Sequence, residues 1–344
     1  MSAGKVAEAR ASYERIIAEA RPAGLVRTHA DGHAGLALCC ERQGDTDAAI
    51  GLYERAEEIM SSLPPTAAVA AVAGKARCLI MSGDLRFAIH VLEQRLLDLE
   101  REGLEDPDAL TRLHVTLVGA YHEAGLYNKA FESASEALRL STKVTDQEVA
   151  AAMNLNVARA LLQRGDIEGA ERCLMRAQDL YGRLELQDQL AKARYARGYV
   201  LSRQGLMVEA EEEFSIAFEM LREVDSPLEA ARVGTELARV RRMQEDEASA
   251  ITWLERAIEL IGDKDPAELG QANRELAECF SQQGDTTSAE KHARRAIELF
   301  ERSEETRELA AAYRVLGDIL RDRGEQEAGN DAYRAGILLI ERSL

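Results

Sequence analysis

The chain has 344 residues, 46% of them hydrophobic, with only 6 prolines and 5% aromatics. That apolar content is too high for a disordered acidic tail, and Ala, Leu, Glu and Arg dominate, residues that lose little rotamer freedom in a helix. Sixty-one acidic residues against 43 basic ones give a formal charge of −18, a field that repels phosphate backbones and anionic lipid and argues against nucleic acid or a membrane surface as partner.

Reading from the N-terminus, Met1-Ser2-Ala3-Gly4-Lys5-Val6 has no signal-peptide core, and no later apolar run approaches the roughly 20 residues of a spanning helix. The expected location is the cytoplasm. Arg outnumbers Lys 36 to 7, a composition associated with high-GC bacterial genomes.

A repeat organises the rest. Turn markers stand at Gly4, Gly44, Gly83, Gly125, Gly165, Gly205, Glu245, Gly284 and Gly324, spaced by 39 to 42 residues. Five residues after the markers come Ala9, Ala49, Ala88, Ala130, Ala170, Ala210, Ala250, Ala289 and Gly329. Seven before them, from Gly44 on, come Ala37, Ala76, Val118, Ala158, Gly198, Ala238, Ala277 and Gly317. Twelve after them come Ala56, Ala137, Ala177, Ala217, Ala257 and Ala296, with Arg95 and Gly336 as exceptions. Each period therefore predicts a hairpin: a first helix ends at the marker, and a second begins beyond it with Ala where two backbones approach closely. Residues 1–22 are expected to be a lone second helix, and 23–344 eight further repeats, about 8.5 hairpins in one continuous array. Bends between hairpins fall at capping signals: Ser61-Ser62-Leu63-Pro64-Pro65, Glu105-Asp106-Pro107-Asp108, Thr145-Asp146, Ser226-Pro227-Leu228-Glu229 and Asp265-Pro266-Ala267-Glu268.

With an aromatic or large residue nine after most markers (Tyr13, Tyr53, Leu92, Leu174, Phe214, Leu254, Tyr333), the pattern resembles the tetratricopeptide repeat family. The forty-residue period and missing final proline resemble the longer variants of kinesin light chain, LGN-type scaffolds and MalT-like regulators. The resemblance implies an all-α fold, a right-handed α-α superhelix (a solenoid), and a non-catalytic binding role. Both ends lack a polar cap, so either the chain is an excerpt of a longer protein or an end is covered by self-association.

Catalysis has no candidate: neither a phosphate-binding glycine loop nor a nucleophile elbow is present, and no cofactor is implied. His29, Asp31 and His33 form an H-x-D-x-H spacing, which supplies too few ligands for a zinc site and more readily packs. Cys39, Cys78 and Cys279 share one repeat position with Ala and Val, as small buried hydrophobes do. Trp253 follows the second-helix pattern and is expected to pack.

In the family, four positions of each first helix line the inner wall. Here they carry Arg77, Arg112, Arg159, Lys192, Arg232, Arg239 and Arg242 in the second through sixth repeats, with no acid. Tyr195 and Tyr199 lie on the same face, and Asn156 on the preceding first helix. Arginine forks and tyrosine rings anchor interfaces, and an Asn amide can bond an extended main chain. The expected ligand is an acidic peptide or helix in a basic groove. The alternative is that these arginines pair with glutamates of the adjacent helix. Charge reversal at Arg232 and Arg239 is expected to abolish binding with stability nearly unchanged. The carboxylate clamp of chaperone adaptors is not matched, since Val115, Leu155 and Tyr195 occupy its lysine position. A second functional reading is the sensor or regulatory portion of a larger signalling or transcription-regulating protein.

Overall fold

The computed structural model describes residues 3–343, with side chains over 6–341. Met1 and Ser2, where the absence of a signal core was read, lie outside the described residues. Among the described residues the chain is helical throughout, with no strand. It divides into two compact units, one ending at Ala193 and one beginning at Arg194.

Unit one contains α1 (Ala3–Ala20), α2 (Val26–Arg42), α3 (Thr46–Ile59), α4 (Val69–Met81), α5 (Leu85–Arg101), α6 (Pro107–Glu123), α7 (Tyr127–Leu140), α8 (Gln147–Gln163) and α9 (Ile167–Arg183). The division falls inside α10 (Gln187–Arg203). Unit two continues with α11 (Met207–Glu223), α12 (Pro227–Met243), α13 (Glu247–Ile261), α14 (Pro266–Gln282), α15 (Thr286–Ser303), α16 (Thr306–Asp322) and α17 (Gln326–Ser343).

The Gly-Asp marker performs two tasks. Gly44, Gly83, Gly165 and Gly284 adopt φ between 78° and 85°, a left-handed turn that side chains resist. The Asp that follows caps the second helix: Asp45, Asp84, Asp166, Asp246 and Asp285 each accept a hydrogen bond from the backbone N–H three residues on, at 2.8–3.2 Å. Glu245 holds the same turn at φ 61° without being glycine. Three of the expected first-helix caps also form, at Asp106, Asp146 and Asp265. Ser226 occupies its cap position, but its hydroxyl accepts no bond there.

Small residues set how closely helices pack. The alanines at the two second-helix positions, Ala49 through Ala289 and Ala56 through Ala296, are buried. First-helix residues are matched in size to the second-helix residue sixteen places later. Ala76, Ala158 and Ala238 precede Leu92, Leu174 and Leu254; Gly198 and Gly317 precede Phe214 and Tyr333. A Cβ on Gly198 would lie 2.7 Å from the Phe214 ring, and one on Gly317 2.6 Å from Tyr333. Tyr53 departs from the rule: Ala37 precedes it, and the next first helix yields instead, at Gly74, where a Cβ would fall 2.3 Å from the ring. Such overpacking costs about 1–3 kcal/mol, so the glycines are packing residues. Around these contacts Leu92, Leu99, Leu113 and Leu117 fill unit one, and Phe214, Phe218, Leu254 and Phe300 fill unit two.

The exception Arg95 has a structural reason. Its guanidinium donates to Glu57 at 2.6 Å and to the Pro65 carbonyl at 3.3 Å, tying α5 to the break after α3, where Met60–Ser62 and Pro65–Ala68 form short 3-10 turns. Buried Lys75 donates to the same Glu57 at 2.9 Å. All five cysteines are free and buried. Trp253 packs edge to face on Phe218, with ring centroids 5.0 Å apart. His29 and His33 also meet edge to face at 5.0 Å, and burial followed by His29 lowers the His33 pKa. No helix of the described residues is long and apolar enough to cross a membrane.

Candidate partner-binding face

The first helices of successive hairpins adjoin one another in each unit: α2, α4, α6 and α8 in unit one, and α12, α14 and α16 in unit two. The first helices carry the candidate residues, and their surroundings differ from a bare basic wall.

In unit one, Arg77 on α4 grips Glu41 on α2 with two nitrogens, at 2.9 and 3.0 Å. Tyr53 donates its hydroxyl to the same carboxylate at 2.8 Å, so α2, α3 and α4 are joined at one acid. Arg112 donates to Asp146, the cap of α8, at 2.9 Å. Beside it, Asp108 takes the backbone N–H groups of Thr145 and Asp146 at 2.9 and 3.0 Å and the Thr145 hydroxyl at 2.6 Å. Asn156 donates its amide to the Ala152 carbonyl of its own helix at 3.0 Å. Lys192, half-buried on α10, is not free either.

In unit two, a chain of ion pairs links α12 to α14. Arg232 donates to Glu268 at 2.5 Å, Arg239 to Glu275 at 3.0 Å, and Arg242 to Glu278. Arg239 also holds Glu236 at 2.6 Å, Arg242 reaches Glu275 at 3.1 Å, and Arg274 bonds both Glu275 and Glu278. Burial raises the Glu236 pKa against the pull of Arg239. Tyr195 is half-buried against the Phe214 ring, and burial, with Glu236 nearby, pushes its phenol up. Tyr199 is exposed, its hydroxyl accepting from Arg203 at 3.4 Å.

Of the six candidate arginines, five are thus matched by carboxylates of the same chain. Arg159 is the exception: it is exposed on α8, with no carboxylate in ion-pair range among the described residues. Of the compensating acids, Glu41 and Glu278 stand at inner-wall positions of the first and seventh repeats, while Glu236, Glu268 and Glu275 stand at other repeat positions and escape that reading. A signal was available. Glu268, Glu275 and Glu278 each follow their arginine by 36 residues, and Glu41 precedes Arg77 by the same interval.

Comparisons with known proteins bear on the family. Residues 1–64 and 268–335 both match the tetratricopeptide repeat. The chain is a tetratricopeptide repeat protein. No curated protein sequence matches this tetratricopeptide repeat chain significantly. Among solved structures, the apo form of the quorum sensor NprR from B. thuringiensis superposes with a TM-score of 0.71 at 15% identity, covering 98% of each chain. A Rap protein complexed with Competence and Sporulation Factor gives 0.66 at 13% identity, over 92% of this chain and 98% of that one. A signal transduction ATPase with a tetratricopeptide repeat sensor, PH0952 from Pyrococcus horikoshii, gives 0.69 at 13% identity; 98% of this chain matches 54% of that one. At such identities the likeness carries the tetratricopeptide fold.

Proposed function

We propose that this tetratricopeptide repeat chain is a protein-interaction module, not an enzyme, that receives an acidic peptide or helix on its first-helix face. The observation that carries the reading is Arg159, an exposed cation left without a carboxylate on a layer whose other candidate arginines are paired. An unpaired guanidinium offers a planar fork to an incoming carboxylate without first breaking an internal pair. Asn156, three residues away on the same helix, gives one N–H to its own helix, and its oxygen can accept from a partner main chain. Arg77 and Arg112 tie first helices together in unit one, and Arg239 and Arg242 do so in unit two.

The similar folds of a quorum sensor and of a Rap protein complexed with Competence and Sporulation Factor support binding of a peptide or protein as the task. The match to a little over half of a signalling ATPase with a tetratricopeptide repeat sensor supports a second reading, the sensor portion of a larger regulator, which uses the same face. A cytoplasmic setting fits either. Self-association through α17, where Ile337, Leu338 and Ile340 are exposed, is a further part of the proposal.

The test is fluorescence anisotropy with a panel of labelled acidic, neutral and basic peptides, comparing wild type with Arg159→Glu. Acidic peptides should bind the wild type selectively and lose affinity in the variant at an unchanged melting temperature. Binding that ignores peptide charge, or survives the reversal, removes Arg159 from the site.

A further inference from the structure

A cavity of about 710 Å³ opens in unit one, lined by α5, α6 and α7 and away from the candidate residues of the first-helix face. Its volume lies within the range of small-molecule sites, roughly 300–1,000 Å³. The repeat itself indicates what this place can hold, because unit two fills the equivalent place from its own chain. There Phe218 of α11 and Trp253 of α13 meet edge to face at 5.0 Å. The Arg256 guanidinium covers both rings, 4.9 Å from the Phe218 centroid and 4.5 Å from that of Trp253, and Arg222 lies 6.0 Å from Phe218.

Counting from each turn marker gives the counterparts. Phe218 and Arg222 stand 13 and 17 residues after Gly205, as Leu96 and Glu100 do after Gly83. Trp253 and Arg256 stand 8 and 11 residues after Glu245, as Ser133 and Glu136 do after Gly125. Leu96, Glu100, Ser133 and Glu136 all line the cavity. A phenyl ring is thus replaced by a smaller aliphatic group, an indole by a hydroxymethyl, and two guanidinium groups by carboxylates. The groove has lost the Phe218–Trp253 filling and carries glutamates where two arginines cover those rings, while Arg139 and Lys143 stand where unit two has Glu259 and Asp263. Four carboxylates line it against Arg139 and Lys143, and Arg139 is itself bound to Glu136 at 2.8 Å. Where unit two has Gly234, the cavity wall has His114, whose Nδ1 is buried without a hydrogen-bond partner. Burial lowers the His114 pKa, which favours the neutral imidazole.

We propose that the cavity between α5, α6 and α7 binds a small organic cation with a flat aromatic body, the chemistry that Trp253 and Arg256 supply in unit two. The ring takes the place of the missing indole over Leu96 and Ser133. The positive group lies against Glu100 and Glu136, where a cation–carboxylate contact is favoured in a partly desolvated site. An N–H of the ligand, or a water that it holds, satisfies the His114 nitrogen.

Calorimetric titration of the full chain with tryptamine tests this, with indole-3-propionate as the anionic ring and spermidine as the ringless cation. Tryptamine should bind saturably, the indole carboxylate at least about tenfold more weakly, and spermidine without saturation over the same concentrations. Leu96→Phe with Ser133→Trp, which restores the residues of unit two, should abolish tryptamine binding. Glu100→Gln with Glu136→Gln should weaken it about tenfold at an unchanged melting temperature, and this pair carries the test if the filled variant does not fold. The proposal is overturned if tryptamine fails to saturate the wild type. It is overturned equally if the filled or carboxamide variants bind tryptamine like wild type, or if indole-3-propionate or spermidine binds as well.

Discussion

Arg239 of α12 donates to Glu275 of α14 at 3.0 Å, and the Glu275 side chain is only 4% exposed. A buried acid is tolerable because Arg242 and Arg274 surround it as well. Arg239→Glu would set a second carboxylate against Glu275 and Glu236. The expected loss is about 2–3 kcal/mol, seen as a lowered midpoint in thermal or urea unfolding. The expectation that reversal at Arg232 and Arg239 leaves stability nearly unchanged is therefore corrected: those arginines bridge helices, and their reversal confounds binding with folding.

The size rule between hairpin partners can be tested by trading one combination for another. Gly198→Ala should cost about 1–3 kcal/mol because its Cβ meets the Phe214 ring at 2.7 Å. Adding Phe214→Leu recreates the Ala-Leu combination of three other hairpins and should recover most of that loss. A double-mutant cycle with a coupling near zero would break the rule.

Glu245 holds a left-handed turn that glycine fills in most repeats, at φ 61°. Glu245→Gly should stabilise the chain by about 0.5–1 kcal/mol, the relief of the left-handed strain less the added freedom of the unfolded glycine. Denaturant unfolding should register a higher midpoint at an unchanged slope.

Asp108 clasps the turn before α8. Burial acts to raise its pKa, but the hydrogen bonds from Thr145 and Asp146 outweigh it and leave the carboxyl below its ordinary range. The folded chain therefore resists protonation more than the unfolded chain. That stabilisation is complete above the ordinary carboxylate pKa, about 4, and fades as pH falls through the lower folded value. Asp108→Asn should cost about 1 kcal/mol at pH 7, and its stability gap to wild type should shrink as pH falls below about 4. A gap that widens with acid would contradict the assignment.

Much of this fold was legible because its signals recur. Each Gly-Asp marker reports a backbone angle and a cap, and each Ala series reports a close approach, so the spacing alone located the hairpins. Ser226 misled because a cap sequence states which group could accept a bond, while the final rotamer decides whether it does. The candidate face was legible only in part. Inner-wall positions identified the arginines, yet part of their neutralisation comes from acids at other repeat positions, as with Glu275 for Arg239. The exchange of Phe218, Trp253 and Arg256 for Leu96, Ser133 and Glu136 was also written in the repeat. Its meaning emerged once the two grooves could be compared, one filled and one open.

Parallel titration of an acidic peptide against Arg159→Gln and Arg77→Gln, with melting temperatures for both, tests the division between free and paired arginines most directly. Arg159→Gln should lose about tenfold in affinity at an unchanged melting temperature, while Arg77→Gln, which deprives Glu41 of its two-nitrogen grip, should lose about 1–2 kcal/mol of stability and keep its affinity. The reverse pattern, with affinity lost at Arg77 and retained at Arg159, would contradict the account.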